Sequence, residues 1–197
     1  SKLSNLSLQL YSYMLKKGYV KNEEELAFIQ VSFERNIPKY DPDKLDFKER
    51  LFLNKAYLWY SFIIQDFIAC YRYSRKWVDL FHEHPEMKKV NTVFYLKGIN
   101  YLLESLFILK HITKFREVIN RFKKEIDKKQ LTLNDNTASL ASLIYYQNRI
   151  NLYFLEGQFT AGLTIIPEVL KEIDLYKSKF DEHHIMILYY KIASLYF

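Results

Sequence analysis

The chain has 197 residues, 49% hydrophobic and 26% charged, with a net charge of +6, the proportions of a folded chain rather than of low-complexity disorder. It holds only 4 Gly and 4 Pro, about 4% of its residues against roughly 12% in average sequences. A sandwich, barrel or doubly wound sheet needs a corner every 8 to 12 residues or so, and these breakers are too few to supply them, so an all-α fold of long helices is expected.

The first apolar stretch, Leu3 to Leu15, contains Ser, Asn and Gln and is followed, not preceded, by Lys16 and Lys17, so it does not read as a secretory signal. It predicts a helix over 5–17 with cations in its last turn, ending at Gly18. Asn22 before Glu23, Glu24 and Glu25 offers an N-cap with acids at the positive end of the dipole, predicting a helix over 23–35. Asn36 to Asp43, with Pro38 and Pro42, is the one connecting loop. A helix from about Asp46 to Ile63 follows, then Gln65-Asp66 as a turn, then Phe67 to His82, stopped by Pro85. Further on, 88–110 is helical, 110–114 a turn, 115–129 helical, Asn134-Asp135-Asn136 a cap, and 137–155 helical. Gly157 turns the chain into a helix over 159–176, which Pro167 either kinks or restarts, and a last helix spans 181–197.

Phe115, Val118, Ile119, Phe122 and Ile126 recur at steps of three and four, as do Phe159, Leu163, Ile166, Val169, Leu170 and Ile173, giving each helix one stripe to bury. The run Asn100 to Leu109 is apolar all round, as expected of a helix covered on two sides. Tyr, Phe and Trp number 17, 15 and 2, so any single aromatic is read first as a core residue. The lone cysteine, Cys70, sits in an apolar run and reads as an inert buried thiol in a reducing compartment. The apolar stretches 57–70 and 99–109 are too short to span a bilayer, and a cytoplasmic location is expected.

An aromatic opens the second half of each expected hairpin: Tyr19, Phe67, Phe115 and Phe159, separated by 48, 48 and 44 positions. This period suggests stacked helical hairpins over about 3–36, 46–84, 88–130 and 135–177 in a single repeat domain. The segment Asn151 to Gly162, with Tyr153, Gly157, Phe159 and Gly162, resembles the tetratricopeptide repeat. Tyr57 to Cys70 is similar, with Gln65 at the turn, whereas the third hairpin has Thr113 at the turn and Val118 in the small position. The resemblance implies a right-handed solenoid of antiparallel hairpins and a non-catalytic protein-interaction scaffold. Its first helices would present a concave surface to a protein or peptide, making Lys55, Trp59, Asn100, Glu104, Gln147 and Asn151 the candidate binding residues. The final helix would open a further hairpin, so a longer protein is expected.

Chemistry-bearing constellations are weak by comparison. His82, Glu83, His84 and Glu86 have metal-ligand side chains, but His82 and His84 stand two apart at a helix end and do not share a face; His183 and His184 are adjacent and diverge. Four glycines include no Gly-x-Ser-x-Gly elbow and no phosphate loop, and Asp41 with Asp43 fits turn formation. No catalytic residue, cofactor or metal site is therefore assigned. Lys110 to Lys129 carries eight basic and three acidic residues, with Glu117–Arg121 and Glu125–Lys129 as i, i+4 pairs. A solvated outer face accounts for it best; the alternatives to the scaffold are a nucleic-acid-associated regulator using the basic 110–129 helix, with Lys123, Lys124, Lys128 and Lys129, and the interaction or sensor part of a longer regulatory protein.

Overall fold

A computed structural model describes residues 2–37, 39, 41 and 44–196. Pro38, Pro42 and Asp43 of the expected loop, and Phe197 at the end of the expected last helix, lie outside the described residues. Every regular element among those described is helical: α1 (Lys2–Lys17), α2 (Glu23–Asn36), α3 (Phe47–Ile63), α4 (Phe67–Glu83), α5 (Met87–Val90), α6 (Thr92–Ile108), α7 (Ile112–Asp127), α8 (Asp135–Glu156), α9 (Phe159–Leu163), α10 (Ile166–Leu175) and α11 (Glu182–Ala193). The chain divides into two compact units, one ending at His84 and the other beginning at Pro85.

The helix starts follow capping chemistry. The Asn22, Asp46, Asn134 and Asp181 side chains each accept the backbone N–H three residues on, at 2.8, 2.8, 2.9 and 2.7 Å. Asp46 with Glu49 and Asn134 with Thr137 close reciprocal boxes. Glu25, by contrast, reaches back to the Lys21 N–H at 2.9 Å, one residue before its cap.

In the first unit α3 is the central helix. α1 lies along it, burying Leu3, Leu6 and Leu10, with the Tyr11 ring 5.1 Å from Trp59. The sequence pairs α1 with α2, but the extended neighbour of α1 is α3, and α2 reaches the same helix through Phe33, stacked on Tyr60 at 4.1 Å. α4 runs antiparallel to α3: Phe47 meets Phe81 at 5.1 Å, Arg50 pairs with Glu83 at 2.8 Å, and Tyr57 stacks on Tyr73 at 4.5 Å.

In the second unit α6 packs on α5, α7 and α8, and α8 packs on α6, α7, α9 and α11. This double covering is why α6 reads as apolar all round. The helix expected over 88–110 is broken at Asn91, where the Thr92 hydroxyl donates to the Lys88 carbonyl at 2.8 Å and α6 starts afresh. The helix expected over 159–176 is likewise two pieces, with Pro167 in the first turn of α10, where its missing N–H is not needed. Of its expected stripe, Val169 and Ile173 are buried while Leu170 is 38% exposed. The turn expected at 110–114 is shorter, since α7 already begins at Ile112.

Four helix ends share one geometry. Gln65, Lys110 and Gly157 have φ of 59°, 55° and 66°, and each donates its N–H to the carbonyl three residues back, at 3.1, 3.0 and 3.1 Å. The next residue in each case donates five residues back: Asp66 to Ser61, His111 to Leu106 and Gln158 to Tyr153, at 2.9, 3.0 and 2.9 Å. After α7, Lys129 has φ of 52° and donates to the Ile126 carbonyl at 3.0 Å, and Gln130 donates to the Glu125 carbonyl at 3.0 Å. These paired bonds satisfy the last carbonyls of α3, α6, α7 and α8. Glycine adopts this left-handed backbone freely, whereas side chains are strained there by roughly 1 kcal/mol. Gln65→Gly and Lys110→Gly are therefore each expected to stabilise by up to about 1 kcal/mol, read as a rise in the urea midpoint; a fall at either position would contradict the turn geometry.

The opening aromatics differ in environment. Phe115 is 0% exposed, Phe159 is 36% exposed, and Tyr19, at 55%, lies in the turn before α2. Gly162 is needed for close approach: a Cβ there would stand 3.0 Å from both the Tyr153 Cβ and the Leu195 Cδ2.

Candidate functional site

Three of the six residues singled out from the sequence are joined in the second unit. On α6 the Asn100 amide donates to Glu104 at 2.9 Å; from α8 Asn148 donates to Asn100 at 3.4 Å, and Asn151 donates to Asn148 at 3.3 Å. Asn148 is fully buried and Asn151 nearly so. Asn148 also bonds the Ile144 carbonyl at 2.8 Å, the local partner that lets an amide sit inside a helix interface. Lys191 of α11 completes the seam, its ammonium 5.4 Å from the Phe107 ring of α6 and electrostatically coupled to Glu104. Gln147, half-buried, precedes Asn148 on α8. Asn148 and Lys191 escaped the sequence reading, although the signal that picked out Asn100, a polar side chain within an apolar helix, applies to both.

Burial governs the electrostatics of this seam. It pushes the Glu104 carboxyl above its ordinary range, against the opposing pull of the Asn100 amide and the Lys191 charge. It pushes the Lys191 ammonium below its ordinary range, with Glu104 acting the other way. For Glu104 the folded state holds the proton more tightly than the unfolded state. No penalty exists where both are protonated, and it grows as pH rises from the ordinary carboxyl value through the raised one. The stability of Glu104→Gln relative to the parent should therefore increase with pH across the acid range, as followed by urea denaturation between about pH 3 and 7. A difference independent of pH would refute this assignment.

The remaining two candidates lie in the first unit. Trp59 is 3% exposed, held between Tyr11 and Trp77, a core position. The Lys55 ammonium sits 5.0 Å from the Phe52 ring and 5.6 Å from the Trp77 ring.

A second polar cluster locks α5, α6 and α7 together. Glu125 is 6% exposed; its Oε2 accepts the hydroxyl of the fully buried Tyr95, and its Oε1 accepts the Lys88 ammonium at 2.9 Å. Lys88 also stands 4.6 Å from the Tyr95 ring centre. Burial first, then the Glu125 charge, pushes the Tyr95 hydroxyl upward. Glu125 is thus an interior residue and not the surface partner of Lys129, a correction to the sequence reading. Its place is legible in retrospect, three positions after Phe122 on the buried stripe of α7. On the surface of this helix Lys123 pairs with Asp127, four residues on, at 2.7 Å.

Around that pair the basic face is exposed at Lys124, Lys128 and Lys129, while Arg116 is engaged by Glu156 at 2.5 Å. Among the described residues no group of three or more His, Cys, Asp or Glu side chains converges as metal ligands do, and no helix is long and apolar enough to cross a membrane. Glu83 pairs with Arg50, and the His84 ring lies 5.6 Å from Phe47. Cys70 is fully buried, and its thiol is pushed up to about 12 by burial, with the Asp66 charge adding, which leaves almost no thiolate at neutral pH. Comparison with known protein families, with curated proteins and with solved structures found no match.

Proposed function

We propose that the chain is a non-catalytic, cytoplasmic protein-interaction scaffold, an array of helical hairpins of tetratricopeptide-like kind that offers a face of its first helices to a peptide or partner domain. The observation that supports this most is the packing of α8 against both α6 and α11, with the Asn100, Glu104, Asn148 and Asn151 seam running between the first two. The left-handed turn at Gly157 and the close approach of Gly162 to Tyr153 agree with the resemblance. Because Asn148 and Asn151 are buried in the seam, they set how α6 and α8 pack, and the half-buried Gln147 is the candidate on α8 that a bound peptide would meet.

The nucleic-acid alternative rests on Lys124, Lys128 and Lys129, because Lys123 is paired with Asp127 and Arg116 with Glu156. One experiment weighs the two. Peptides selected from a random display library on the full chain are expected to bind Gln147→Ala at least fivefold more weakly, with the melting temperature unchanged. Loss of peptide binding by Gln147→Ala supports the scaffold. Peptide binding indifferent to Gln147, together with salt-sensitive binding of a DNA or RNA duplex abolished in Lys124→Glu/Lys128→Glu, would overturn it.

A further inference from the structure

A cleft of about 170 Å³ opens between α7, α8 and α10. At roughly 30 Å³ per water molecule it holds five or six waters, the volume of one side-chain end, and falls short of the roughly 300 to 1,000 Å³ that a drug-sized ligand fills. Tyr145, Tyr146 and Tyr176 wall it, with Ser142, Glu172 and Lys123 among its polar groups. Glu172 accepts the Ser142 hydroxyl at 2.5 Å, and Glu168, one turn earlier on α10, accepts the Tyr146 hydroxyl at 2.7 Å. Both carboxylates are thus held by neutral hydroxyls. Lys123, on the cleft wall, is hydrogen-bonded to Asp127 at 2.7 Å and also feels the Glu168 charge, and Arg149 donates to the Tyr153 hydroxyl at 2.9 Å, so neither cation is bonded to Glu172.

The cleft is acidic at its Glu172 end, where Tyr146 and Tyr176 stand, whereas Tyr145, beside Lys123 on the wall, feels the Arg149 and Lys123 charges before that of Glu168. Consistently, burial followed by the charges of Glu168 and Glu172 pushes the Tyr146 hydroxyl up, and burial with Glu172 and Asp135 does the same to Tyr176. Tyrosine faces favour cations, and one already sits on this wall, the Lys123 ammonium 5.3 Å from the Tyr145 ring. We propose that the cleft receives the ammonium or guanidinium end of a basic side chain of the partner, seated between the tyrosine rings with its charge on Glu172. This rests on the scaffold reading given above and adds to it a specificity for a lysine or arginine at one position of the bound segment.

The test uses Nα-acetyl-lysine methylamide and its uncharged counterpart Nα-acetyl-norleucine methylamide, titrated into the full chain at fixed ionic strength and followed by amide chemical shifts. The lysine probe is expected to move Ser142, Tyr145 and Tyr146 and to bind at least tenfold more tightly than norleucine. Glu172→Gln, which keeps an acceptor for Ser142, should weaken the lysine probe at least tenfold without moving the melting temperature. Equal binding of the two probes, binding of neither, or indifference to Glu172→Gln would overturn the proposal. Peptides that respond to Gln147→Ala but ignore Glu172→Gln would leave the scaffold standing and the cleft disproved. A lysine probe bound in the cleft of a chain that selects no peptide would do the reverse.

Discussion

Replacing Glu125 with alanine should destabilise the fold by about 3 to 5 kcal/mol, the range observed when one member of a buried ion pair is removed. The loss strikes two groups at once. Lys88, whose side chain is 12% exposed, loses the carboxylate bonded to its ammonium, and the Tyr95 hydroxyl, in a fully buried side chain, loses the acceptor that justified placing it there. Three elements, α5, α6 and α7, meet only if these groups are reconciled. A second variant separates the cost of broken pairing from the worth of the pair itself. In Lys88→Met/Tyr95→Phe/Glu125→Leu, apolar groups of similar size replace all three, and most of the lost stability should return, because nothing polar is left stranded. Urea denaturation followed by circular dichroism reads both. A cost below about 1 kcal/mol for Glu125→Ala would mean that the cluster is solvated and not locked.

Trp77→Ala should cost a comparable 3 to 5 kcal/mol, approximately the loss for truncating a large buried aromatic side chain. Trp77 is fully buried on α4, its ring edge-to-face with Trp59 at 6.4 Å and its other contacts including the Lys55 ammonium. Alanine forfeits the transfer energy and leaves a cavity that α3 and α4, fixed at both ends by Arg50–Glu83 and the Gln65 turn, cannot close by sliding together. Trp77→Phe keeps most of the volume and should cost less than about 2 kcal/mol. Near-ultraviolet circular dichroism provides the second readout, since the Trp59–Trp77 pair is the only place where two indoles meet in a chain that has 2 Trp. Equal stabilities for the alanine and phenylalanine variants would argue that the site collapses freely.

What could be read from the sequence follows the range of the interaction responsible. Caps at Asn22, Asp46, Asn134 and Asp181, and the turn at Gly157, are settled within a few residues, so composition and spacing reveal them. The close approach at Gly162 is legible too, because a small residue at a fixed offset from an aromatic marks the point where two helices of a hairpin touch. The break at Asn91 was missed because Thr92 caps backward onto Lys88, a hydrogen bond that leaves no mark on the apolar periodicity. The role of Glu125 depends on Tyr95, thirty positions earlier, and a charge beside a lysine-rich stretch looks like one more surface residue until its neighbours are known. For the same reason Asn100, Glu104 and Asn151 were found singly, whereas their connection through Asn148 needs α6 and α8 side by side.

The side-chain ties between helices have one more property in common. Tyr146–Glu168, Ser142–Glu172, Arg50–Glu83, Lys88–Glu125, Arg116–Glu156 and Asn100–Asn148 join residues 22, 30, 33, 37, 40 and 48 positions apart. Loop-closure entropy grows only with the logarithm of such spans, so the shortest and longest of these differ by about 0.7 kcal/mol. No one of them is entropically privileged as the contact that must form first. Folding can begin at several helix pairs in parallel, and because every one of these ties lies within one of the two compact units, each unit is expected to form as its own cooperative block.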